Sequence, residues 1–370
     1  MAKKKNYKTK YHFTKLSVII FLVLSVILTV VAFTFKKPIE SLINKKANNV
    51  IDYDGLVMHT IDVGQADAIM VKLPDNKNML VDSGNSGTTK NEILKSYLNN
   101  NYFNLTSNKE IDYFVITHSD ADHCGGAVMV FNEYQVNKVF RPNIFSQNLQ
   151  SEVDYVTSYD KTYVKTKVWE NVITSMYNEP NCEVEFSKAG IEIIEENYTI
   201  KFYAPTETKY KNVNGFSPLI VIEYNSKKIM LTGDATTETE EKALDTLPRC
   251  DILKVAHHGS TTSSSVAFLQ KVNPSYAIIS CNKNDGNNYG HPHQEILNRL
   301  CDIMPSSNIY RTDLNGNIVF NIDKLGSINI ALDVQGNTLY IKVEYVLIGS
   351  ICVLFVICFA MPKSKKVKNN

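Results

Sequence analysis

Residues 117–126 read THSDADHCGG and place four side chains of metal-binding type within six positions. These side chains are His118, Asp120, Asp122 and His123. Residues 111–117 (IDYFVIT) are β-branched and aromatic, which predicts a buried strand that ends at the polar cluster. The spacing does not form one face of a helix, so it indicates a loop that wraps a cation with imidazole nitrogens and carboxylate oxygens. A solvated acidic turn is the alternative.

Two apolar segments depart from an otherwise globular composition of 370 residues, 44% hydrophobic and 21% charged. Residues 16–35 contain no charge and no proline, and as a helix of ~30 Å they would cross a bilayer. Residues 345–361 form a second apolar run near the lower length limit for a span. We predict a transmembrane helix at each segment. The alternatives are a cleaved signal peptide for the first and a buried helix for the second.

Basic residues lie at the outer ends of both apolar segments, in residues 1–15 and 362–370. The positive-inside rule therefore predicts a protein of the cell membrane with both termini in the cytoplasm. Residues 36–53 are polar and indicate a linker. Residues 54–342 then form the predicted extracellular domain.

The composition of residues 37–342 argues against broad electrostatic capture of nucleic acid and against a disulfide framework. Residues 37–342 contain 28 lysines and arginines and 37 aspartates and glutamates, a net charge of about −9. Broad electrostatic capture of nucleic acid needs a basic surface, so a phosphodiester would have to be held mainly by metal ions. The domain's five cysteines are an odd number without a CxxC pair, which predicts mostly buried free thiols rather than a disulfide framework.

Alternating apolar runs and turn residues predict an antiparallel meander over residues 57–84, and further strands between residues 191 and 231. Each group of strands is followed by alternating strands and helices. This order predicts two sheets packed face to face with helices outside. Polar residues 147–182, which contain the single tryptophan, Trp169, are interpreted as a helical insertion that faces the site.

Further polar side chains follow other predicted strands. They are Asp82, Asp234, the pair His257 and His258, and His291 on a later loop. Side chains at separate strand ends can converge with residues 118–123 on one edge of the sandwich, which predicts a site for two cations ~3.5–4 Å apart. Such a pair clamps the oxygens of a displacement reaction and activates water. Asp234 is the natural bridging carboxylate, and Asp82 would orient a ligand histidine.

These motifs carry a resemblance to a known family. The string HSDADH resembles the HxHxDH signature of the metallo-β-lactamase superfamily, with Asp120 in place of the second histidine. Four more strings resemble, in order, the extracellular hydrolase domain of ComEC-type DNA-uptake competence proteins. They are IDVGQADA at residues 61–68, LTGD at 231–234, KVAHHGS at 254–260 and NNYGHPH at 287–293.

The resemblance implies an α/β fold, the metallo-β-lactamase αββα sandwich, flanked here by two transmembrane helices. It also implies metal-dependent hydrolysis and, for this branch, a suspected nuclease. The implied ligands are His118 and Asp120 in the first metal site, Asp122 and His123 in the second, Asp234 between them, and His257 as the preferred last ligand. His258 or His291 would contact phosphate or protonate the leaving group. The expected catalytic residues are therefore Asp122, His258 and His291.

The chain departs from the family pattern at the first metal site. No histidine occurs between His123 and His257, so oxygen donors, including Asn214, would replace the third-motif ligand of the family. Harder ligands favour manganese or magnesium, although zinc binds most such sites tightly. The predicted cofactors are two divalent ions, zinc or manganese, with magnesium as a further candidate. Ser260 would bind phosphate or only cap the following helix.

The leading hypothesis is a membrane-anchored, extracellular hydrolase that cleaves phosphodiesters, DNA above all, by metal-activated water. With two predicted spans the chain would not conduct DNA by itself, so a separate channel or envelope protein is the expected partner. A second hypothesis keeps the fold and assigns a cell-envelope ester or phosphoester as the substrate. A third is a non-catalytic binding module that a metal ion stabilises.

Overall fold

A computed structural model of the protein describes residues 21–26, 29, 54–102, 109–150, 152, 162–282 and 288–333. Residues 52–335 form one compact unit, and both chain ends belong to a second unit. Of the first predicted span, residues 21–26 and 29 are described and are helical. The second predicted span, the linker and both basic ends lie outside the described residues. Within the described part, no helix combines the length and the apolar character that a membrane crossing requires.

Strands and helices alternate through the larger unit. The strands are β1 (Leu56–Thr60), β2 (Ile69–Lys72), β3 (Asn78–Val81), β4 (Glu110–Val115), β5 (Gln135–Arg141), β6 (Ile144–Ser146), β7 (Thr162–Val164), β8 (Glu183–Phe186), β9 (Glu192–Ile194), β10 (Tyr198–Phe202), β11 (Ile220–Tyr224), β12 (Lys227–Leu231), β13 (Ile252–Lys254), β14 (Tyr276–Ile279), β15 (Ile309–Arg311), β16 (Asn317–Ile322) and β17 (Ile328–Asp333). The α-helices are α1 (Thr88–Tyr97), α2 (Ala121–Cys124), α3 (Ala127–Glu133), α4 (Lys167–Asn178), α5 (Thr237–Ala243), α6 (Val266–Val272), α7 (Gln294–Cys301) and α8 (Thr312–Asn315).

Two large mixed sheets are formed. The eight-stranded sheet has the order β17-β16-β1-β2-β3-β4-β5-β8, and the seven-stranded sheet has the order β15-β14-β13-β12-β11-β10-β9. The antiparallel pairing of β1, β2 and β3 confirms the predicted meander. The β3-β4-β5 and β12-β13-β14 strands are parallel, so within each sheet the carboxyl ends of these strands meet at one edge. Ligand sites of open α/β sheets lie at such edges.

The sheets pack face to face around a shared hydrophobic core. Met58, Val71 and Phe140 of the first sheet contact the same buried cluster as Ile222 and Ile278 of the second. A second core lies under α1, α3 and α4, and a third under α5, α6 and α7. The four layers confirm the predicted αββα sandwich. Burial of each large apolar side chain in these cores contributes ~1.5–3 kcal/mol.

Helix α4 lies within the segment that was interpreted as an insertion facing the site, but its orientation differs from that expectation. Its apolar residues Trp169, Val172, Ile173 and Met176 recur at helical spacing and are buried in the core with α3. The indole of Trp169 donates a hydrogen bond to the carbonyl of Ile144 at 3.3 Å. The apolar stripe therefore turns this helix towards the core, and none of its residues is among those that line the cleft described below.

The cysteines of the domain are free, as predicted. They are Cys124, Cys182, Cys250, Cys281 and Cys301. Burial raises the pKa of the thiols of Cys124 and Cys250 well above the usual value, so these two remain protonated at neutral pH. These two thiols are therefore packed as small apolar side chains.

Candidate metal centre

The predicted site residues meet at the carboxyl ends of the parallel strands. Asp82 directly follows β3, and His118 follows β4. Asp122 and His123 lie in α2, the short helix that begins after this loop. Asp234 follows β12, and the two histidines of the HHGS string follow β13. Strands of both sheets thus bring these residues to one edge of the sandwich, although Asp82 and Asp234, for example, are 152 positions apart in the chain.

A first donor cluster contains His118, His123 and Asp234, all buried. Nδ1 of His118 lies 3.0 Å from the hydroxyl of Thr117 and 3.3 Å from that of Ser217, so its other nitrogen points into the cluster. That nitrogen, Nε2, has no hydrogen-bond partner, and neither does Oδ1 of Asp234. Nε2 of His123 lies 3.2 Å from the same carboxylate oxygen. Buried polar atoms without partners are costly, so these atoms indicate a site for a cation.

A second donor cluster contains Asp122, His123 and His258. Nε2 of His258 lies 3.4 Å from Oδ2 of Asp122. It also lies 3.3 Å from Nε2 of His123. Asp122 is partly exposed, whereas both histidines are buried. The two clusters share His123, and the second is the one that reaches solvent.

The hydrogen bonds of His123 and His258 fix which nitrogen of each ring can bind a metal. Nδ1 of His123 lies 2.7 Å from Oδ2 of Asp82, and Nδ1 of His258 lies 2.9 Å from the carbonyl oxygen of Ser280. Both Nδ1 atoms therefore donate, so in the neutral rings the lone pairs that can bind a metal are on the Nε2 atoms, which lie 3.3 Å apart. Two nitrogens bound to one ion at ~2.0–2.1 Å in tetrahedral geometry would lie at about this separation. The donor set thus fits a divalent metal ion.

Burial and neighbouring charges act in opposite directions on the pKa values of His123 and Asp234. Burial opposes the charged form of His123, but the carboxylates of Asp234 and Asp82 outweigh it and raise its pKa well above the usual value. Burial also disfavours the charged form of Asp234, yet His123 and His258 lower its pKa well below the usual value. The carboxylate of Asp234 therefore stays ionised and attracts positive charge, which protons on the histidines or metal ions can supply.

Three site residues have left-handed backbone conformations that are rare outside glycine. They are Asp82 at φ 57°, His257 at φ 50° and His258 at φ 53°. Each costs ~1–3 kcal/mol and persists only where the surrounding structure enforces it. Gly259 follows at φ 83°, and a Cβ there would lie 2.6 Å from Cβ of Pro292, so only glycine fits. The HHGS turn is therefore a strained turn that the fold holds in place.

The remaining predicted residues lie around these clusters. Oδ2 of Asp120, half exposed, is 3.6 Å from Nε2 of His118. Nε2 of His257 is 3.5 Å from Oδ2 of Asp234 and 3.4 Å from the amide nitrogen of Asn214. Asn214 therefore lies beside His257. His258, not the preferred His257, completes the cluster with Asp122, although the ligand assignments stay predictions.

An open cleft of about 660 Å³ leads to the second cluster. It is lined by Gln65, Asn85, Ala121, Asp122, His257, His258, Ser260, Thr261, Thr262, Tyr289, His291 and His293. The expected residues Ser260 and His291 are thus both at the cleft. Burial, together with His258 and His257, lowers the pKa of His291 to about 4, so its ring is neutral near pH 7. Among the residues that the structure describes, the lining includes no lysine or arginine.

Two supports of the site, Lys254 and Ser217, were not predicted from the sequence. Nζ of Lys254 lies 2.7 Å from Oδ2 of Asp67, and both side chains are buried. Oδ1 of Asp67 lies 3.8 Å from Nδ1 of His258. The signal was a lysine inside the apolar strand sequence ILKVA at residues 252–256. Ser217, which contacts His118 and accepts a hydrogen bond from the backbone NH of Asp234 at 3.2 Å, gave no such signal.

The chain is similar in sequence to a known protein family and to competence proteins. The profile of the family described as Metallo-beta-lactamase superfamily matches residues 61–282. ComE operon protein 3 of Bacillus subtilis is 27% identical over 285 residues, which cover 73% of this chain and 34% of that protein. Competence protein ComA of Neisseria gonorrhoeae is 25% identical over 268 residues, which cover 72% of this chain and 32% of that protein. The chain therefore spans about a third of the length of these relatives.

Among solved structures, the metallo-beta-lactamase fold protein YhfI of Bacillus subtilis is similar to this chain. The two are 11% identical, with a TM-score of 0.42, and the similarity covers 70% of this chain and 96% of YhfI.

Proposed function

The chain belongs to the metallo-β-lactamase superfamily and is a metal-dependent hydrolase, and we propose that its substrate is a phosphodiester, with DNA as the first candidate. The observation that carries this proposal is the pair of donor clusters that share His123 and open into one cleft. Two adjacent cations suit the in-line displacement at a phosphodiester. The resemblance to ComEC-type competence proteins, confirmed by the two competence relatives, favours DNA over other phosphodiesters.

His118 and Asp120 would hold one ion, and Asp122, His123 and His258 the other, with Asp234 between them. When bound, these ions supply Lewis acidity at phosphoryl oxygens and lower the pKa of water. The metals are proposed to be zinc or manganese, with magnesium also compatible with the oxygen donors of Asp120 and Asp234.

The other side chains orient these groups and contact the substrate. Asp82 and the Ser280 carbonyl hold the Nδ1 protons of His123 and His258, so both Nε2 atoms face the centre. His291 is neutral near pH 7, and its ring can donate a hydrogen bond to a phosphate oxygen without adding charge. Ser260 and Thr262 place hydroxyl groups on the same wall of the cleft. A preorganised set of donors of this kind stabilises charge that develops during displacement.

We further propose that the hydrolase domain is extracellular and anchored to the cell membrane by the two apolar segments. A separate channel or envelope protein would then present the substrate. The support is the basic flanks of residues 16–35 and 345–361. Topology can be measured by protease accessibility of the domain in intact cells compared with lysed cells. Cleavage only after lysis would contradict the extracellular assignment.

The hydrolase activity is tested with the purified full-length chain and manganese, zinc or magnesium. The substrates are single-stranded DNA, double-stranded DNA and a generic phosphodiester. We expect Asp234→Asn to lower kcat on DNA at least ~100-fold, because it removes a buried carboxylate from the centre of both clusters. Asp245→Asn is the matched control, since Asp245 is exposed and does not line the cleft. Full activity of Asp234→Asn would contradict the mechanism.

A second candidate is a cell-envelope ester or phosphoester, and the acidic charge of the domain favours it over polyanionic DNA. Cleavage of the generic ester without cleavage of DNA would select this substrate class. The third hypothesis, a binding module without activity, predicts a metal-dependent melting temperature and no turnover of any of these substrates.

A further inference from the structure

Three aromatic rings form a row from the mouth of the cleft to the donor clusters. The rings of Tyr289 and His291 are nearly parallel, at an interplanar angle of 21° and a centroid distance of 5.7 Å. The rings of His291 and His258 are also nearly parallel, at 23° and 6.3 Å. At the inner end of the row, Nε2 of His258 lies 3.4 Å from Asp122. The row therefore connects the predicted reaction centre to the outermost ring.

Tyr289 is that outermost ring, and it is 73% exposed. It lines the cleft, and one side of its ring is turned towards His291. Most of its remaining surface is open to solvent. An aromatic ring in this position offers a flat surface on which another planar ring can stack at low entropic cost.

The charge of the cleft decides which kind of contact can hold a polynucleotide. Proteins that bind single strands without sequence preference combine a basic groove with aromatic stacking platforms. Here the lining residues that the structure describes include no lysine or arginine, and residues 37–342 carry a net charge of about −9. None of these described residues offers a positive charge to a phosphate, so ring stacking is the contact with a nucleotide that they can supply.

We propose that Tyr289 is the stacking platform for a nucleobase of a single-stranded nucleic acid whose phosphodiester lies over Asp122 and His258. This inference rests on the proposed function and refines it. The bases of a single strand are free to stack on a protein ring, whereas those of a duplex are already paired and stacked. Single strands are thus the preferred substrate, and the base beside the cleaved linkage is held through its ring rather than through its charge.

The test uses the full-length chain with manganese and two oligonucleotides of the same length. One carries normal bases, and in the other abasic sites replace them, so charge and backbone are unchanged. We expect Tyr289→Ala to raise KM for the normal oligonucleotide about 5- to 150-fold. The abasic oligonucleotide should bind weakly to the wild-type chain, and Tyr289→Ala should leave its KM unchanged. Tyr289→Phe and Tyr289→Trp retain a ring and should retain the preference for bases.

Leu325→Ala is the position control, because Leu325 is 91% exposed and does not line the cleft. It should change neither KM. An equal effect of Tyr289→Ala on the normal and abasic oligonucleotides would overturn the inference, since the ring would then act without contacting a base. A larger effect on an envelope glycan than on DNA would also overturn it and assign the platform to a sugar ring.

A binding measurement separates failure of this inference from failure of the proposed nuclease activity. If no variant cleaves DNA, binding of the labelled oligonucleotides, measured by fluorescence anisotropy, still compares the four forms of residue 289. Base-dependent binding that Tyr289→Ala abolishes would support the platform even without cleavage. Equal binding of normal and abasic strands by the wild-type chain would overturn it.

Discussion

At the scale of single residues, Asp82 decides whether His123 can bind a metal. One carboxylate oxygen of Asp82 accepts hydrogen bonds from Nδ1 of His123 and from the hydroxyl of Thr117, both at 2.7 Å. The other accepts the backbone NH of Thr117 at 2.9 Å. The carboxylate thereby holds the proton of His123 on Nδ1 and leaves Nε2 as the donor to the centre.

Replacement of Asp82 by asparagine should reverse this tautomer. An amide NH2 turned towards His123 would require Nδ1 to accept a hydrogen bond, which moves the ring proton to Nε2 and blocks metal binding there. We expect Asp82→Asn to weaken manganese or zinc affinity ~10- to 100-fold, measured by isothermal titration calorimetry. Asp245→Asn is the control. Unchanged affinity of Asp82→Asn would show that Asp82 does not set the tautomer.

At the scale of elements, the short helix α2 is held against neighbouring loops by backbone hydrogen bonds. The carbonyl of His123 accepts the NH of Ser83 at 2.7 Å, and the carbonyl of Asp122 accepts the NH of Asp67 at 3.1 Å. Gly126, at the start of α3, donates to the carbonyl of Gly84 at 3.2 Å. The metal-binding loop and the loop after β3 therefore behave as one rigid unit.

At Gly126 this unit has no space for a side chain. A Cβ there would lie 2.2 Å from the carbonyl oxygen of Ser83, so Gly126→Ala must push α2 and α3 away from the loop. We expect a loss of about 3 kcal/mol or more in the free energy of unfolding, together with weaker metal binding. Gly190→Ala is the control, because a Cβ at Gly190 meets no atom within 4 Å and adds only the strain of φ 91°, ~1–2 kcal/mol. Equal losses in both variants would contradict the close packing of Gly126.

At the scale of the whole molecule, the site joins the two sheets. Asp67 lies in the loop between β1 and β2 of the first sheet, whereas Lys254 ends β13 of the second. Their ion pair, at 2.7 Å and shielded from solvent, crosses between the sheets directly behind His258. A buried pair of this kind is weakly stabilising as a whole, but loss of one partner leaves an uncompensated charge.

This asymmetry gives a prediction for the stability of the fold. Lys254→Met and Asp67→Leu should each lower the free energy of unfolding by ~3–5 kcal/mol, measured by denaturant titration. The double variant should lose less than the sum of the two, because it leaves no unpaired buried charge. An additive double variant would show that the two side chains do not interact. The double variant also removes the carboxylate near His258, so its metal affinity reports whether that carboxylate positions the ring.

Local patterns in the amino-acid sequence were enough to predict the αββα fold class, the strands and the edge of the sandwich where the polar residues meet. These features follow from local patterns: apolar alternation specifies strands, and polar residues directly after a strand lie at its end in any packing. The motif residues 118–123, Asp234 and the two histidines after β13 were therefore predictable from the chain. The free cysteines followed from their number and spacing.

Only the tertiary structure decided which side chains contact one another across the sheets. It placed His258 rather than His257 with Asp122, because the left-handed turn at these residues buries one ring and leaves the other at the cleft wall. It paired Asp67 with Lys254, 187 positions apart, and turned Trp169 into the core. Such contacts depend on side-chain direction and on the packing of distant strands, and neither is specified by periodicity or spacing along the chain.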